Sequence, residues 1–322
     1  MKIKLDPFVV SIIVVIVLAY FFPELGREGN VIPLDTIVSV GISLIFFSYG
    51  LKLSKHQLTS GLKNWRLHAL VQSSTFLLFP AIVISFYPFI EQGAQETIWL
   101  AFLFLAALPS TVSSSVVMVS MAKGNIPAAI FNASISGLIG IVLTPLWIGL
   151  FLQESGVDYN LGGIYLKLLL EILLPVVLGL ILQQYLGKFV QKYARQLSLF
   201  DKSIILLIIY KSFVESFDEG VFTSVKIRDL IFISIATLLL FYVVYFITGY
   251  LSRVLKFNKE DQITAQFCGT KKSLVHGTVF SKVLFPESMS VGLVILPLMI
   301  FHAFQILFIS FVASRLSNRF RE

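Results

Sequence analysis

Apolar runs separated by short polar breaks recur along the chain from Phe8 to Val312. They match the length, about 17 to 25 residues, that an α-helix needs to cross a bilayer. Their polar edges predict helices over 8–22, 34–52, 64–88, 97–121, 126–153, 162–186, 201–217, 228–254, 261–284 and 287–314, each edge placed to about two to four residues. The expected fold class is an all-α membrane protein of about ten transmembrane helices.

Two of these runs do not suit lipid. In the fourth, Leu108-Pro109-Ser110-Thr111-Val112-Ser113-Ser114-Ser115 puts a helix-breaking proline beside a cluster of hydroxyls. In the ninth, Gln266-Phe267-Cys268-Gly269-Thr270-Lys271-Lys272-Ser273 puts glycine, an amide, hydroxyls and two ammonium groups at the corresponding depth. Pro80, Pro145, Pro175 and Pro297 also lie within runs, where a proline most often only kinks a helix. Runs one, three and five start at offsets from runs six, eight and ten that are all similar, which predicts repeats over 1–155 and 156–322. An odd number of helices per repeat inverts the second in the membrane, and discontinuous helices in matching positions mark a transporter binding site. Backbone freed by each break must be satisfied inside protein or beside a watery cavity.

Composition narrows the solvent to lipid. Of 322 residues, 57% are hydrophobic and 13% charged, with mean hydropathy +0.88, whereas an ordinary soluble domain is about a quarter charged. The net charge of +7 is spread over short loops, which argues against nucleic acid as a partner. Lys2 and Lys4, Lys55, Lys63 and Arg66, Lys123, Lys188, Lys192 and Arg195, Arg253, Lys256 and Lys259, then Arg315, Arg319 and Arg321 all fall on one side. Glu24, Glu28, Glu91, Glu96, Glu154, Asp158, Asp218, Glu219 and Glu287 fall on the other. Basic loops favour the cytoplasm, so both termini are expected there, in a multi-pass protein of the cytoplasmic membrane. The single cysteine, Cys268, leaves no disulfide framework and no cysteine-rich metal site. Lys2 and Lys4 precede the run Phe8 to Phe22 without a small-residue cleavage pattern, so a retained first helix is expected.

Ser110 to Ser115, followed by Val116-Val117-Met118 and Ala122-Lys123-Gly124-Asn125, resembles the fourth helix of the bile acid:sodium symporter family, solute carrier family ten. Thr264-Ala265-Gln266-Phe267-Cys268-Gly269-Thr270-Lys271-Lys272-Ser273-Leu274 resembles the ninth helix of its divergent branch around member seven. Phe79-Pro80-Ala81 and Ile208-Ile209-Tyr210 extend the resemblance over essentially the whole chain. The resemblance implies two inverted five-helix repeats. A panel of helices 8–52 and 162–217 would face a core of 64–153 and 228–314, in which broken helices four and nine cross. It also implies secondary transport of an organic anion, steroid-like or a small carboxylate, usually with sodium, by movement of core against panel.

Sodium is a hard cation that gathers oxygen ligands, and Ser114, Ser115, Asn132, Ser136, Gln266 and Thr270 offer them. Ser114, Ser115, Asn132 and Gln266 form the candidate sodium set. Typical family members have a glutamate at the position of Gln266 and uncharged polar residues at those of Lys271 and Lys272. That departure leaves sodium coupling in question and proton coupling or no ion coupling as alternatives. An ammonium at mid-membrane costs about 2.5 to 3.5 kcal/mol, so a lysine there normally faces a cavity. One alternative puts Lys271 or Lys272 in place of the cation; another gives one of them the anionic group of the substrate; a third lets the side chains snorkel to the surface. Ser113 and Ser273 flank the two breaks, and Gln72, Thr75 and His276 are further candidates, each of a type that also serves interhelical hydrogen bonds. Lys167 and Glu171 are spaced to pair on one helix face. Ser113 to Ser115 with His276 raise an intramembrane enzyme as a rival, but no nucleophile-elbow or metal-histidine pattern accompanies them. A regulatory membrane protein without transport is the other rival.

Overall fold

A computed structural model of the chain describes residues 7–27, 33–52, 64–91, 93–111, 113–152, 163, 166, 169–218, 227–285 and 289–319. Among them every regular element is helical. The helices are α1 (Pro7–Phe21), α2 (Leu34–Lys52), α3 (Trp65–Ser73), α4 (Phe79–Ile84), α5 (Ala94–Ala107), α6 (Ser113–Met121), α7 (Ile126–Leu152), α8 (Leu174–Lys192), α9 (Ala194–Asp218), α10 (Ile227–Val254), α11 (Lys259–Gly269), α12 (Leu274–Leu284) and α13 (Val291–Arg319). Short π-helical segments, Ser74–Leu78 and Leu169–Leu173, lead into α4 and α8. Lys167 lies outside the described residues, as do the loop charges Lys2, Lys4, Glu28, Lys55, Lys63, Glu154, Asp158, Glu219, Glu287 and Arg321.

Among the described residues six stretches are long and apolar enough to cross a membrane: Leu34–Lys52, Trp65–Phe89, Ile126–Leu152, Leu169–Lys192, Ile227–Val254 and Val291–Ser317. Val10–Phe21 and Gln95–Ala107 are shorter apolar helices. The chain is therefore a multi-pass integral membrane protein. The difference from ten has local causes. Runs four and nine are each split, into α5 with α6 and α11 with α12, and α9 carries Asp201, Lys202, Lys211 and Glu215 within its apolar length.

The described residues divide into two compact units. Unit one draws on Met1–Lys55, Val157–Lys226 and Thr278–Leu293; unit two draws on His56–Gly156, Ile227–Gly277 and Val294–Glu322. The split thus falls inside α12, after Gly277.

In unit one, α2 and α8 cross with their backbones in contact at Gly50 and Gly179. A Cβ at Gly50 would lie 2.2 Å from the carbonyl oxygen of Val176, and one at Gly179 would lie 2.2 Å from that of Phe47. Small residues permit such close helix packing in lipid. Gly50→Leu is expected to cost at least about 1 to 3 kcal/mol by overpacking, read as a fall in the thermal midpoint in detergent; an unchanged midpoint would mean that the crossing yields freely. Four charges balance in the same unit. Lys211, with its side chain 4% exposed, bonds Asp35 and lies 3.4 Å from Glu215, which also accepts from Lys282 at 2.9 Å. Two cations and two carboxylates make this a neutral network.

Unit two is built round aromatic packing between α10 and α13. Phe241 meets Phe301, Phe304 and Phe308 edge-on, at centroid distances of 5.6, 5.3 and 5.3 Å. Edge-to-face rings bury large area and set geometry. α11 starts at Asn258, whose side chain accepts from the amide of Asp261. The buried Asp261 carboxylate then accepts from Asn64 at 2.9 Å and Asn125 at 2.8 Å. These bonds fix the start of α11 against the starts of α3 and α7.

Candidate functional site

The proline at 109 pushes its predecessor into extended backbone: Leu108 sits at φ −71°, ψ 150°, and α5 stops there. Helix ends leave carbonyls without amide partners, and each one left bare at membrane depth costs several kcal/mol. Four carbonyls at this break find donors outside α5. Ala107 O accepts from Thr144 Oγ1 at 2.8 Å, and Pro109 O accepts from the amide of Ser273 at 2.9 Å. Ala106 O and Leu108 O accept from Lys272 Nζ, at 2.6 and 2.8 Å.

A third carbonyl joins them from the π-helical segment. In α-helical register Thr75 O would accept from Phe79, but that amide bonds Ser74. In π register it would accept from position 80, which is proline and has no N–H. Thr75 O is thereby free for Lys272 Nζ, which donates to it at 2.7 Å. The ring of Phe79 closes the cradle, its centroid 4.1 Å from Nζ.

Lys272 is wholly buried. Three acceptors that carry no hydrogen engage its nitrogen, and only the ammonium form has three hydrogens to give. Such charge-assisted bonds are short and strong. The ammonium also lies at the carbonyl end of the half-helix α5, where the backbone dipole favours a cation. It neither snorkels nor keeps a hydrogen for a ligand.

Lys271 is equally buried, yet differently placed. Among the described residues its ammonium makes one hydrogen bond, to Ser114 Oγ at 3.4 Å. Ser114 donates to Thr111 Oγ1 at 2.9 Å, which shares a hydrogen with Ser115 Oγ at 2.8 Å. This hydroxyl chain lies at the start of α6, the amide end of a half-helix, where anions are favoured. Lys271 therefore presents N–H groups beside a helix end of matching polarity. The arrangement is chemically suited to a carboxylate or another small anionic group.

The other expected site residues bond within and between the helices around the two breaks. Ser110 gives its amide to Ser136 Oγ at 2.9 Å and its hydroxyl to Cys268 O at 2.8 Å. Thr270 Oγ1 donates to Gln266 O at 2.6 Å. Ser273 caps α12, its hydroxyl meeting His276 Nδ1 at 2.9 Å and the amide of His276 at 3.3 Å. α7 comes close to the break at Gly140, where a Cβ would lie 2.8 Å from the Pro109 ring. Gln72 Nε2 bonds Asn132 Oδ1 at 3.1 Å, and Thr75 Oγ1 turns back to Val71 O. Gln266 Nε2 bonds Tyr245 O at 3.1 Å. The side chain of Ser113 lies outside the described residues.

Sequence reasoning gives no site role to Thr111 or to Phe79, although each lies in a quoted motif. It also missed Gln305. That residue is wholly buried on α13, where its side chain accepts from the amide of Lys272 at 2.8 Å and donates to its carbonyl at 2.7 Å. A polar amide within an apolar run was the available signal.

Comparison with known proteins follows the same lines. A family model described as the SBF-like CPA transporter family (DUF4137) matches residues 6–318. Over 312 residues the chain is 38% identical to the putative symporter YfeH of Escherichia coli (strain K12), covering 97% of this chain and 92% of that one. It is 31% identical over 315 residues to sodium/bile acid cotransporter 7-B of Xenopus laevis, covering 95% and 90% of the two chains. It is 30% identical over 308 residues to sodium/bile acid cotransporter 7 of Mus musculus, covering 93% and 89%.

Proposed function

The chain belongs to the SBF-like CPA transporter family, and from that premise we propose that it carries an organic anion across the cytoplasmic membrane by alternating access, without sodium. The observation that carries this reading is Lys272 Nζ among the carbonyls of Thr75, Ala106 and Leu108. Freed carbonyls and half-helix C-termini at a helix break are where such transporters hold their coupling cation. Here a covalently attached cation holds them.

The remaining donor set does not suit sodium. Thr111, Ser114 and Ser115 lie beside the Lys271 ammonium, which would repel it. Asn132 Oδ1 already accepts from Gln72, and Gln266 gives its Nε2 to Tyr245 O. Lys271 and the amide end of α6 take the anionic group of the substrate.

The panel of this transporter is helices 8–52 and 162–217, which fall in unit one, and its core is helices 64–153 and 228–314, which fall in unit two except for residues 278–293. The ten apolar runs form two inverted repeats, 1–155 and 156–322, with both termini in the cytoplasm, as the alternation of loop charge indicates. Transport is driven by a proton gradient or by the substrate gradient alone.

The test is uptake of labelled steroid-like and small carboxylates into proteoliposomes, with sodium and proton gradients imposed separately. Uptake indifferent to sodium is expected. Uptake that requires a sodium gradient would overturn the resident-cation reading, and no uptake by demonstrably folded protein would favour a regulatory role.

A further inference from the structure

Lys272 can fill the carbonyl cradle only if its own backbone is held, and the break at residues 270–273 removes it from both α11 and α12. Its amide and carbonyl cannot be left bare at that depth. Gln305 meets both. Its Oε1 accepts from Lys272 N at 2.8 Å, and its Nε2 donates to Lys272 O at 2.7 Å. One primary amide thus stands in for a neighbouring peptide strand.

The amide cannot turn over. Its second Nε2 hydrogen points to His302 Nδ1, 2.9 Å away and one turn earlier on the same face of α13. Rotation would place oxygen against Lys272 O and the NH2 group against the Lys272 amide. The imidazole in turn must leave Nδ1 without a proton. Gln305 thus pairs with the peptide of Lys272, and His302 takes its remaining hydrogen.

We propose that Gln305 is a positioning residue for transport, whose amide fork, its remaining hydrogen held by His302, sets the backbone of Lys272 so that its ammonium reaches the carbonyls of Thr75, Ala106 and Leu108. This rests on the reading of Lys272 as the resident cation. A long lysine side chain loses rotamer freedom when its nitrogen is fixed, and a clamped Cα confines that loss to the side chain itself.

Protection of Lys272 from chemical modification reads the positioning directly. The full-length protein in detergent micelles is treated with formaldehyde and borane, and methylation is followed peptide by peptide, with exposed Lys123 as the rate standard and buried Lys211 as a control for folding. Wild-type Lys272 is expected to resist. In Gln305→Leu it is expected to react at least about tenfold faster relative to Lys123, the ratio that loss of two hydrogen bonds of ordinary net strength gives, while Lys211 stays protected. Gln305→Glu supplies the second arm: its protonated carboxyl keeps one donor and one acceptor, so protection of Lys272 relative to wild type should hold at acid pH and fail at alkaline pH.

Unchanged protection in folded Gln305→Leu would overturn the positioning role and leave the resident cation standing. The same holds for a Gln305→Glu variant whose protection does not vary with pH, and that variant decides the matter if the leucine variant does not fold. Ready methylation of Lys272 in the wild type would instead overturn the resident cation itself.

Discussion

Lys272→Ala is expected to abolish uptake and to make the stability of the protein depend on sodium. Removing the side chain strips the donor from Thr75 O, Ala106 O and Leu108 O at once. Breaking a buried charged contact by deleting one partner costs about 3 to 5 kcal/mol, a large share of the roughly 5 to 15 kcal/mol that stabilises a typical domain. The vacancy left is lined by three carbonyl oxygens and an aromatic face, which is a site for a monovalent cation. Sodium or methylammonium in the buffer should refill it. At a concentration about a hundredfold above its dissociation constant, such a ligand restores about 2.7 kcal/mol.

Thermal unfolding in detergent, with and without sodium, checks the effect. The wild type should show no specific sodium shift, because its cradle is filled, whereas Lys272→Ala should gain stability with sodium and not with an equal ionic strength of a bulky cation. A Lys272→Ala protein as stable and as active as the wild type would mean that the carbonyl cradle has little energetic weight. Recovery of uptake in Lys272→Ala on adding sodium would tie the cradle to transport itself.

The helices and both breaks were legible because their causes are local. Pro109 interrupts an apolar run, and Gly269-Thr270 with two lysines interrupts another, so periodicity and breaker residues suffice. The two lysines were also visible as costly groups. Their separate roles were not, because those roles depend on partners far along the chain. Lys272 bonds oxygens 164 to 197 residues away, and no local pattern encodes such a contact. Thr75 shows the limit well: its hydroxyl attracted notice, but its carbonyl makes the contact, freed by a π-helical turn and the missing N–H of Pro80.

Gln305 and Lys211 mark another limit. A single amide in the run Val291–Ser317 reads as an ordinary interhelical bond, and only its fork on Lys272 gives it a place in the site. Lys211 and Glu215 lie within a run whose overall hydropathy says nothing of their partners. Their neutral network with Asp35 and Lys282 draws on α2 and α12, elements 176 and 67 residues distant along the chain. Charges in lipid signal function or pairing, and three-dimensional proximity decides between the two.

Lys271→Met provides the opposite experiment to Lys272→Ala, with stability and transport expected to part company. The Lys271 ammonium is as buried as its neighbour but makes a single long hydrogen bond among the described residues. A buried charge with so little compensation opposes folding, so an apolar side chain of similar volume should leave the thermal midpoint unchanged or raise it. Uptake should nevertheless fall. A hydrogen bond to a charged group contributes about 1.5 to 3 kcal/mol, so loss of the contact to a substrate carboxylate should lower uptake by about ten- to a hundredfold at subsaturating substrate. Lys271→Arg keeps the charge and should retain part of the activity, limited by the fit of the larger guanidinium against Ser114. Wild-type uptake by Lys271→Met would sink the assignment of the anion to this end of α6. A marked loss of stability would show that the ammonium supports the crossing rather than the substrate, and the anion would then have to be sought away from the two lysines.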